Sequence, residues 1–138
     1  MLNKYYFVSN TKLKDEVLKP RIPQNRLTKS GREDNTTPRI CVSKSIIGCL
    51  QSTNTYISKK RLYLYYCEVD SNYVRQPKER QVRDAKFTGE EWITIPTEFT
   101  LESILHITKE TLTKDYVKYI IKDKDSIGFF HLTFVEHI

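Results

Sequence analysis

Short apolar runs separated by polar segments divide this chain and predict its secondary structure. Lys4 to Val8 and Leu62 to Val69 are rich in aromatic and branched residues and show no apolar–polar alternation, as in β-strands covered on both faces. Segments 116–121 and 127–135 predict a C-terminal hairpin. The first arm also fits helical spacing, but its Tyr, Val and Ile content favours a strand. The predicted strands are 4–8, 39–42, 62–69, 92–95, 116–121 and 127–135.

Capping residues and helically spaced apolar residues predict helices between these strands. The spacing predicts one helix over 11–19, which Pro20 ends, and a second over 44–51 with Ser43 as its N-cap. Thr100 can cap a short third helix. The predicted fold therefore contains both strands and helices.

These elements predict an α+β fold with one domain over residues 1–138, in which mixed or antiparallel sheets are flanked by helices. A chain of 138 residues is long enough to bury about two-thirds of its unfolded surface. No internal repeat divides it. The predicted core consists of Phe7, Ile40, Val42, Ile46, Leu50, Leu64, Tyr66, Trp92, Phe130 and Phe134.

Two polar segments and the net charge point to an anionic partner. Residues 21–38 form a long polar loop, of a length usual for functional or disordered segments. Lys and Arg number 23 against 17 acidic residues, which gives a net charge of +6. Such a balance favours nucleic acid, nucleotides or an acidic protein surface as partners. We therefore expect Arg39 and the basic residues of loops 21–38 and 75–83 to bind an anion.

The stretch from Thr37 to Ser52 supports this expectation, because it predicts a strand that turns sharply into a helix. Such a junction directs backbone N–H groups and the positive end of the helix dipole at one point. Arg39 and Ser43 lie near that point in the sequence. The alternative is that the junction binds nothing and that Arg39 forms a structural ion pair.

Other common chemistries leave no signature in the sequence. The three cysteines, Cys41, Cys49 and Cys67, lie in apolar segments without a C-x-x-C pair, which indicates buried free thiols in a reducing compartment. The histidines lack metal-ligand spacing, so we expect no metal. The four glycines form no phosphate-binding loop. Without a signal peptide or a membrane span, we expect a cytoplasmic protein that does not contact membranes.

Two adjacent acids, Glu90 and Glu91, are candidate catalytic residues. They precede Trp92 where a polar segment becomes a strand. Because successive strand residues face opposite sides, only one of the two can enter a cleft beside Trp92. A carboxylate in such a cleft can stabilise positive charge that develops on a ribose. The alternative is that both are ordinary surface acids.

Four short motifs resemble those of small ADP-ribosyltransferase-like domains found in phage and prophage genes. The resemblance covers about the first hundred residues. The motifs are Tyr6 to Ser9, Leu18 to Pro23, Arg39 to Ser43 and Thr88 to Trp92.

The resemblance implies a split-sheet architecture and NAD as the substrate, with ADP-ribose transferred to a host protein or nucleic acid. By position, Glu91 or Glu90 would be the catalytic acid and Ser43 would line the nicotinamide side. The remaining nucleotide-binding residues would be Arg39, Ser9, Tyr6 and Phe7.

Phe7 departs from the family pattern, because it stands where the family has the His that holds the NAD ribose. A phenyl ring can stack but cannot donate a hydrogen bond, and a buried ribose hydroxyl without its partner costs about 1–3 kcal/mol. The departure raises a second hypothesis, in which the domain is a non-catalytic phage anti-defence protein. Such a protein would sequester a nucleotide or dock on an acidic or nucleic-acid-containing host complex.

Overall fold

The computed structural model describes residues 1–22, 37–51, 60–77, 89–123 and 131–137. Within these ranges most residues lie in strands, and a short helix, α1 (Ile46–Gln51), and one turn of 3₁₀-helix (Ser71–Tyr73) are present. The strands are β1 (Leu2–Ser9), β2 (Val17–Leu18), β3 (Ile40–Ser43), β4 (Arg61–Asp70), β5 (Val74–Arg75), β6 (Glu90–Ile93), β7 (Thr97–Glu98), β8 (Thr100–Thr111), β9 (Tyr116–Asp123) and β10 (His131–His137).

Eight of these strands form one sheet in the order β10-β9-β8-β4-β1-β3-β6-β5. All neighbouring strands are antiparallel, and the sheet curls into a half-barrel. β2 and β7 pair with each other as a separate two-stranded ribbon. The short strands β3, β6 and β5 therefore make one end of the sheet, and the long strands β8, β9 and β10 make the other.

The pairing of β1 with β4 forms the centre of the sheet, in register from Leu2 opposite Asp70 to Ser9 opposite Tyr63. Both strands are rich in aromatic and branched residues, which pack well on a pleated surface. Both faces of β4 contribute to the core, because Leu64 and Tyr65 are each buried on opposite sides. The register towards β8 shifts between these two residues.

Core residues occupy both faces of the sheet. On the face that we call the helix face, Leu50 of α1 packs with Leu62, Leu64, Leu105 and neighbouring residues. On the opposite face, which we call the ribbon face, Tyr5, Tyr65 and Phe99 pack with Leu18 of β2. The backbone N–H of Leu13 also donates to the Tyr65 hydroxyl at 2.9 Å. Two separate apolar clusters thus hold the helix and the ribbon against one sheet.

The predicted α+β fold with flanking helices is wrong, because the described part of the chain is mostly β-sheet with one six-residue α-helix. The segment predicted as a helix over 11–19 contains β2 instead, in which Val17 and Leu18 pair with β7. Leu18 joins the ribbon-face cluster. Pairing and burial against distant residues override the weak local preference for helix.

The short helix predicted from Thr100 is also wrong, because this segment is β8, which pairs with β4 and β9. Its Thr and Ile residues are β-branched, and the stiffness of such side chains lowers helix propensity and suits a strand. The helix predicted over 44–51 is present but shorter. Ser45 caps it, since its Oγ accepts a hydrogen bond from the N–H of Gly48 at 2.9 Å.

The split-sheet architecture implied by the resemblance is likewise corrected, because β1, β3, β4 and β6 lie side by side in one continuous sheet. The strands predicted at 4–8, 39–42, 62–69, 92–95 and 116–121 are confirmed with small shifts at their ends. The strand predicted over 127–135 appears as β10, and residues 124–130 lie outside the described part.

The predicted core is confirmed for five residues, which are buried: Ile40, Val42, Leu50, Leu64 and Trp92. Phe7, Ile46 and Tyr66 are half-buried. Phe130 and the side chain of Phe134 lie outside what the structure describes. Of the predicted 21–38 loop, the structure describes both ends but not residues 23–36, and the backbones of Arg21 and Arg39 form a two-hydrogen-bond bridge there.

Candidate functional site

β3 positions most of the predicted site residues because it lies between β1 and β6. Ser43 of β3 is directly opposite Tyr6 of β1 on one side and Glu90 of β6 on the other. Residues directly opposite in an antiparallel pair point to the same face, about 5 Å apart at Cβ. Tyr6, Ser43 and Glu90 therefore form one row across three strands on the helix face.

A buried arginine and a tryptophan adjoin this row. Cζ of Arg39 lies 4.2 Å from the centroid of the Trp92 ring, and Cζ of Arg75 lies 5.4 Å from the same centroid. Trp92 is fully buried and Arg39 almost so, whereas Arg75 is exposed. We call these three residues the arginine stack. A guanidinium held over an indole face is attracted by the ring quadrupole, and the attraction is stronger when water is excluded.

Hydrogen bonds fix the orientation of the arginine stack. The Trp92 Nε1–H donates to Oε2 of Glu90 at 2.8 Å, and Nη1 of Arg39 donates to the carbonyl oxygen of Thr37 at 3.1 Å. A bond to a charged acceptor is stronger than one between neutral groups. The half-buried carboxylate of Glu90 and the exposed guanidinium of Arg75 thus both adjoin one rigid indole ring.

Gly89 allows the chain to enter β6 beside Ser43. Its φ of 68° is in the left-handed region, which glycine adopts at little cost. A Cβ at this position would lie 3.5 Å from Oγ of Ser43, an ordinary contact distance. Oγ of Ser43 itself accepts a hydrogen bond from the N–H of Ser45 at 3.3 Å, so Ser43 begins the turn into α1 rather than capping the helix.

Glu91 points to the ribbon face, because its register partner is Val42 and its neighbours on the strand face the other way. Its Oε1 lies 3.5 Å from Nε2 of Gln76 and 4.0 Å from Nζ of Lys44. Oε2 is shielded from solvent and has no hydrogen-bond partner among the described residues. Burial raises the pKa of the nearby Tyr5, and the charge of Glu91 raises that pKa further. Glu91 is therefore a buried, weakly paired carboxylate.

The structure divides the predicted site residues between the two faces of the sheet. Arg39, Ser43, Tyr6 and Glu90 share the helix face, and Glu91 and Phe7 lie on the ribbon face. The Phe7 ring packs against Phe99, with centroids 5.5 Å apart. Ser9 ends β1, where its hydroxyl hydrogen-bonds the backbone of Thr11. These residues do not form one cleft.

Sequence reasoning missed the residues around Glu91. Tyr5, Lys44 and Gln76 were not among the candidates, although strand alternation in β1 places Tyr5 on the same face as Phe7. Arg75 was expected only as part of a basic loop. It lies in the edge strand β5, where it is directly opposite Trp92 of β6. Residues 78–83 of that predicted loop lie outside the described ranges.

Two of the cysteines are buried thiols that stay protonated near neutral pH. Burial raises the pKa of Cys49 and the pKa of Cys67 to about 12. The Sγ of Cys49 also lies 3.1 Å from the carbonyl oxygen of Tyr6. Because the thiolate is the reactive form, neither residue is poised as a nucleophile.

In the part of the chain that the structure describes, no group of three or more His, Cys, Asp or Glu side chains is arranged to hold a metal ion. Within the same residues, no helix has the length and apolar character needed to cross a membrane. Comparison with known protein families, curated proteins and solved structures finds no match to this chain.

Proposed function

We propose that this protein is a non-catalytic nucleotide-binding domain whose site includes the arginine stack and Glu90. The observation that carries the proposal is that Arg75 and Glu90, of opposite charge, both adjoin the Trp92 ring on one face of the sheet. Arginine suits a phosphate group, and a carboxylate accepts hydrogen bonds from ribose hydroxyls. A nucleotide offers both groups within one molecule.

The residues of the proposed site have different roles. Arg75 is exposed and contacts the phosphate, while Glu90 is half-buried and accepts from the ribose. Arg39 is almost fully buried, so it holds the indole in place and adds positive potential rather than touching the ligand. The net charge of +6 favours the approach of the anion.

A second candidate function is ADP-ribosyl transfer from NAD. The observation that favours it is the row formed by Tyr6, Ser43 and Glu90, since three residues that the resemblance assigned to the NAD site share one face. In that reaction Glu90 would stabilise the positive charge that develops on the ribose as nicotinamide leaves. We rank this function second because Phe7 packs on the other face and Glu90 already accepts from Trp92.

The protonated buried thiols fit a reducing compartment, and we propose that the protein acts in the cytoplasm. The ligand is a free nucleotide or dinucleotide such as NAD. A nucleotide presented by a host protein or nucleoprotein complex would offer the same phosphate and ribose groups to the same face.

Ligand titration tests the proposal directly, because Trp92 is the single tryptophan of the chain and its fluorescence reports on the site. NAD, ADP-ribose and ATP are titrated at low salt by fluorescence and by calorimetry. We expect Arg75→Gln to weaken binding of the preferred ligand about tenfold, the usual effect of one lost charge-assisted contact. The control, Lys109→Gln, removes an exposed charge at the far end of the sheet and should change nothing.

Nicotinamide release from NAD separates the two functions. The non-catalytic domain should release none, with or without added protein or nucleic acid acceptors. Release that Glu90→Gln abolishes and that Glu91→Gln preserves would establish the transferase instead. If none of the three ligands binds by either method, or if Arg75→Gln binds as well as the wild type, the nucleotide site is wrong.

A further inference from the structure

Four basic side chains form a row across the other end of the sheet. Register pairs Arg61 of β4 with His106 of β8, His106 with Lys122 of β9, and Lys122 with His131 of β10. Directly opposite residues point to one face, so all four lie on the ribbon face. Strands are about 4.8 Å apart, and the row therefore spans about 14 Å. We call Arg61, His106, Lys122 and His131 the basic row.

The charge of the basic row is not neutralised by an ion pair within the described residues. None of its four residues forms an ion pair with any residue described in the structure. Arg61, Lys122 and His131 are exposed, and His106 is half-buried between two of them. The Nε2 atom of His106 is shielded from solvent without a hydrogen-bond partner among the described residues. Concentrated positive charge costs free energy, which a bound anion would offset.

As far as the structure describes them, the nearest rows on the same face add no acidic side chain. On one side of the basic row lie Tyr63 and Ile104, which are opposite each other, and on the other side Thr108 is opposite Ile120. The acid closest along β8 on this face is Glu110, which is itself opposite Lys118. Within the described residues, these adjacent rows therefore bring no carboxylate next to the basic row.

The basic row is separate from the arginine stack. Arg39, Trp92 and Arg75 lie on the helix face at the β3, β6 and β5 end of the sheet, while the basic row lies on the ribbon face of β4, β8, β9 and β10. The ribbon of β2 and β7 packs near Tyr65 and Phe99 and leaves Arg61 and Lys122 exposed. A ligand of the row need not compete with a nucleotide at the stack.

We propose that the basic row binds the sugar-phosphate backbone of a single-stranded nucleic acid laid across the four strands. The row alternates full cations, Arg61 and Lys122, with imidazole rings, His106 and His131. Cations at two-strand intervals contact phosphates, and the half-buried ring of His106 between them and the exposed ring of His131 beside them offer surfaces on which bases stack. An acidic peptide would contact the cations but has no bases to stack on the imidazole rings. The bases of a duplex are paired and are not free to stack on these rings.

A fluorescent oligothymidine binding assay tests this proposal with the full-length protein. The variant Arg61→Gln/Lys122→Gln removes both full charges of the row from exposed positions, so we expect its fold to persist, as circular dichroism would show. At about 50 mM salt we expect at least a tenfold loss of affinity. The slope of log affinity against log salt should fall by about 1.4, since each lost phosphate contact to a single strand accounts for about 0.7.

Matched variants separate the row from general charge effects. Lys12→Gln/Lys19→Gln removes the same charge from exposed positions outside the row, and it should bind the oligonucleotide as the wild type does. The proposal is overturned if the wild type fails to bind at low salt or if both double variants lose affinity equally. Tighter binding of polyglutamate than of the oligonucleotide would show an acidic protein partner instead. A preference for duplex over single strand would also contradict it.

Discussion

The guanidinium of Arg39 is stacked on the ring of Trp92, with 4.2 Å between Cζ and the ring centroid, and both side chains are almost completely shielded from water. The contact joins the residue that precedes β3 to β6, at the end of the sheet that consists of short strands. A cation over an indole is worth about 2 kcal/mol when it is desolvated. Arg39 therefore contributes to the fold of this end of the sheet as well as to its positive potential.

A double-mutant cycle with Arg39→Met and Trp92→Phe should give a coupling energy of about 1–2 kcal/mol in urea unfolding followed by circular dichroism. The reference cycle pairs Trp92→Phe with Arg75→Met. Because Arg75 is exposed and its Cζ lies 5.4 Å from the ring centroid, that coupling should stay below about 1 kcal/mol. Equal coupling energies in the two cycles would show that the contact of Arg39 with Trp92 stabilises the fold no more than the contact of Arg75 with Trp92.

The adjacent acids should respond in opposite directions to the same substitution. Glu90→Gln weakens the charge-assisted bond from Trp92, and we expect it to lower the free energy of unfolding by about 1 kcal/mol. Glu91→Gln keeps the shape of a buried side chain and removes its poorly compensated charge, so it should raise that free energy by about 1 kcal/mol. A loss of stability in both variants, measured at pH 7, would contradict this assignment.

Gly89 should tolerate substitution only by residues that accept a left-handed backbone. With φ at 68°, Gly89→Ala is expected to lower the free energy of unfolding by about 1–2 kcal/mol. Gly89→Asn should cost less, since Asn visits this region more readily. The Cβ itself meets only an ordinary contact with Ser43, so similar losses in the two variants would indicate crowding rather than backbone strain.

Alkaline pH should destabilise the protein through its buried thiols. The pKa of Cys49 and the pKa of Cys67 rise from 9.0 to about 12 on folding, because burial disfavours the thiolate. The contribution of the two protonated thiols to the free energy of unfolding is fully present below pH 9.0 and is lost as the pH rises towards about 12. In that window the unfolded chain binds fewer protons than the folded protein. Each thiol should lower the free energy of unfolding by about 1.4 kcal/mol per pH unit.

Cys67→Ala tests the alkaline prediction through the slope rather than the stability itself. Urea unfolding at a series of pH values between 9 and 12 gives the slope of the free energy of unfolding against pH. In Cys67→Ala this slope should be less steep than in the wild type by the contribution of one thiol. The control is Val69→Ala, which also shortens a buried side chain of β4 but removes no titratable group. An unchanged slope in Cys67→Ala would mean that this thiol ionises without opposing the fold.

Part of the candidate site follows from the sequence alone. Strand alternation separates Glu90 from Glu91, and the polar stretch before Trp92 marks where β6 begins. Alternation within β6 does not show which of the two acids shares a face with Arg39, because that depends on the register between β3 and β6. The pairing of Ser43 with Glu90 settles the question, and it joins residues that are distant in the chain.

The basic row illustrates the same limit more strongly. Arg61, His106, Lys122 and His131 have no common motif or spacing, and each looks like an ordinary polar residue of its own strand. Only the registers of three successive strand pairs bring them into line. Register depends on matching buried faces and on turn geometry, neither of which is visible within one strand.

The sequence by itself determined the strands, because the apolar runs of β1, β4 and β9, which all contain Tyr and Val, form the same local structure wherever they pair. The tertiary structure decided the secondary structure of segments whose local sequence also fits a helix. Residues near Val17 and those after Thr100 fit helical caps and spacing, yet they became β2 and β8. Helix preferences differ by less than about 1 kcal/mol per residue, so hydrogen bonds and burial offered by an existing sheet edge outweigh them.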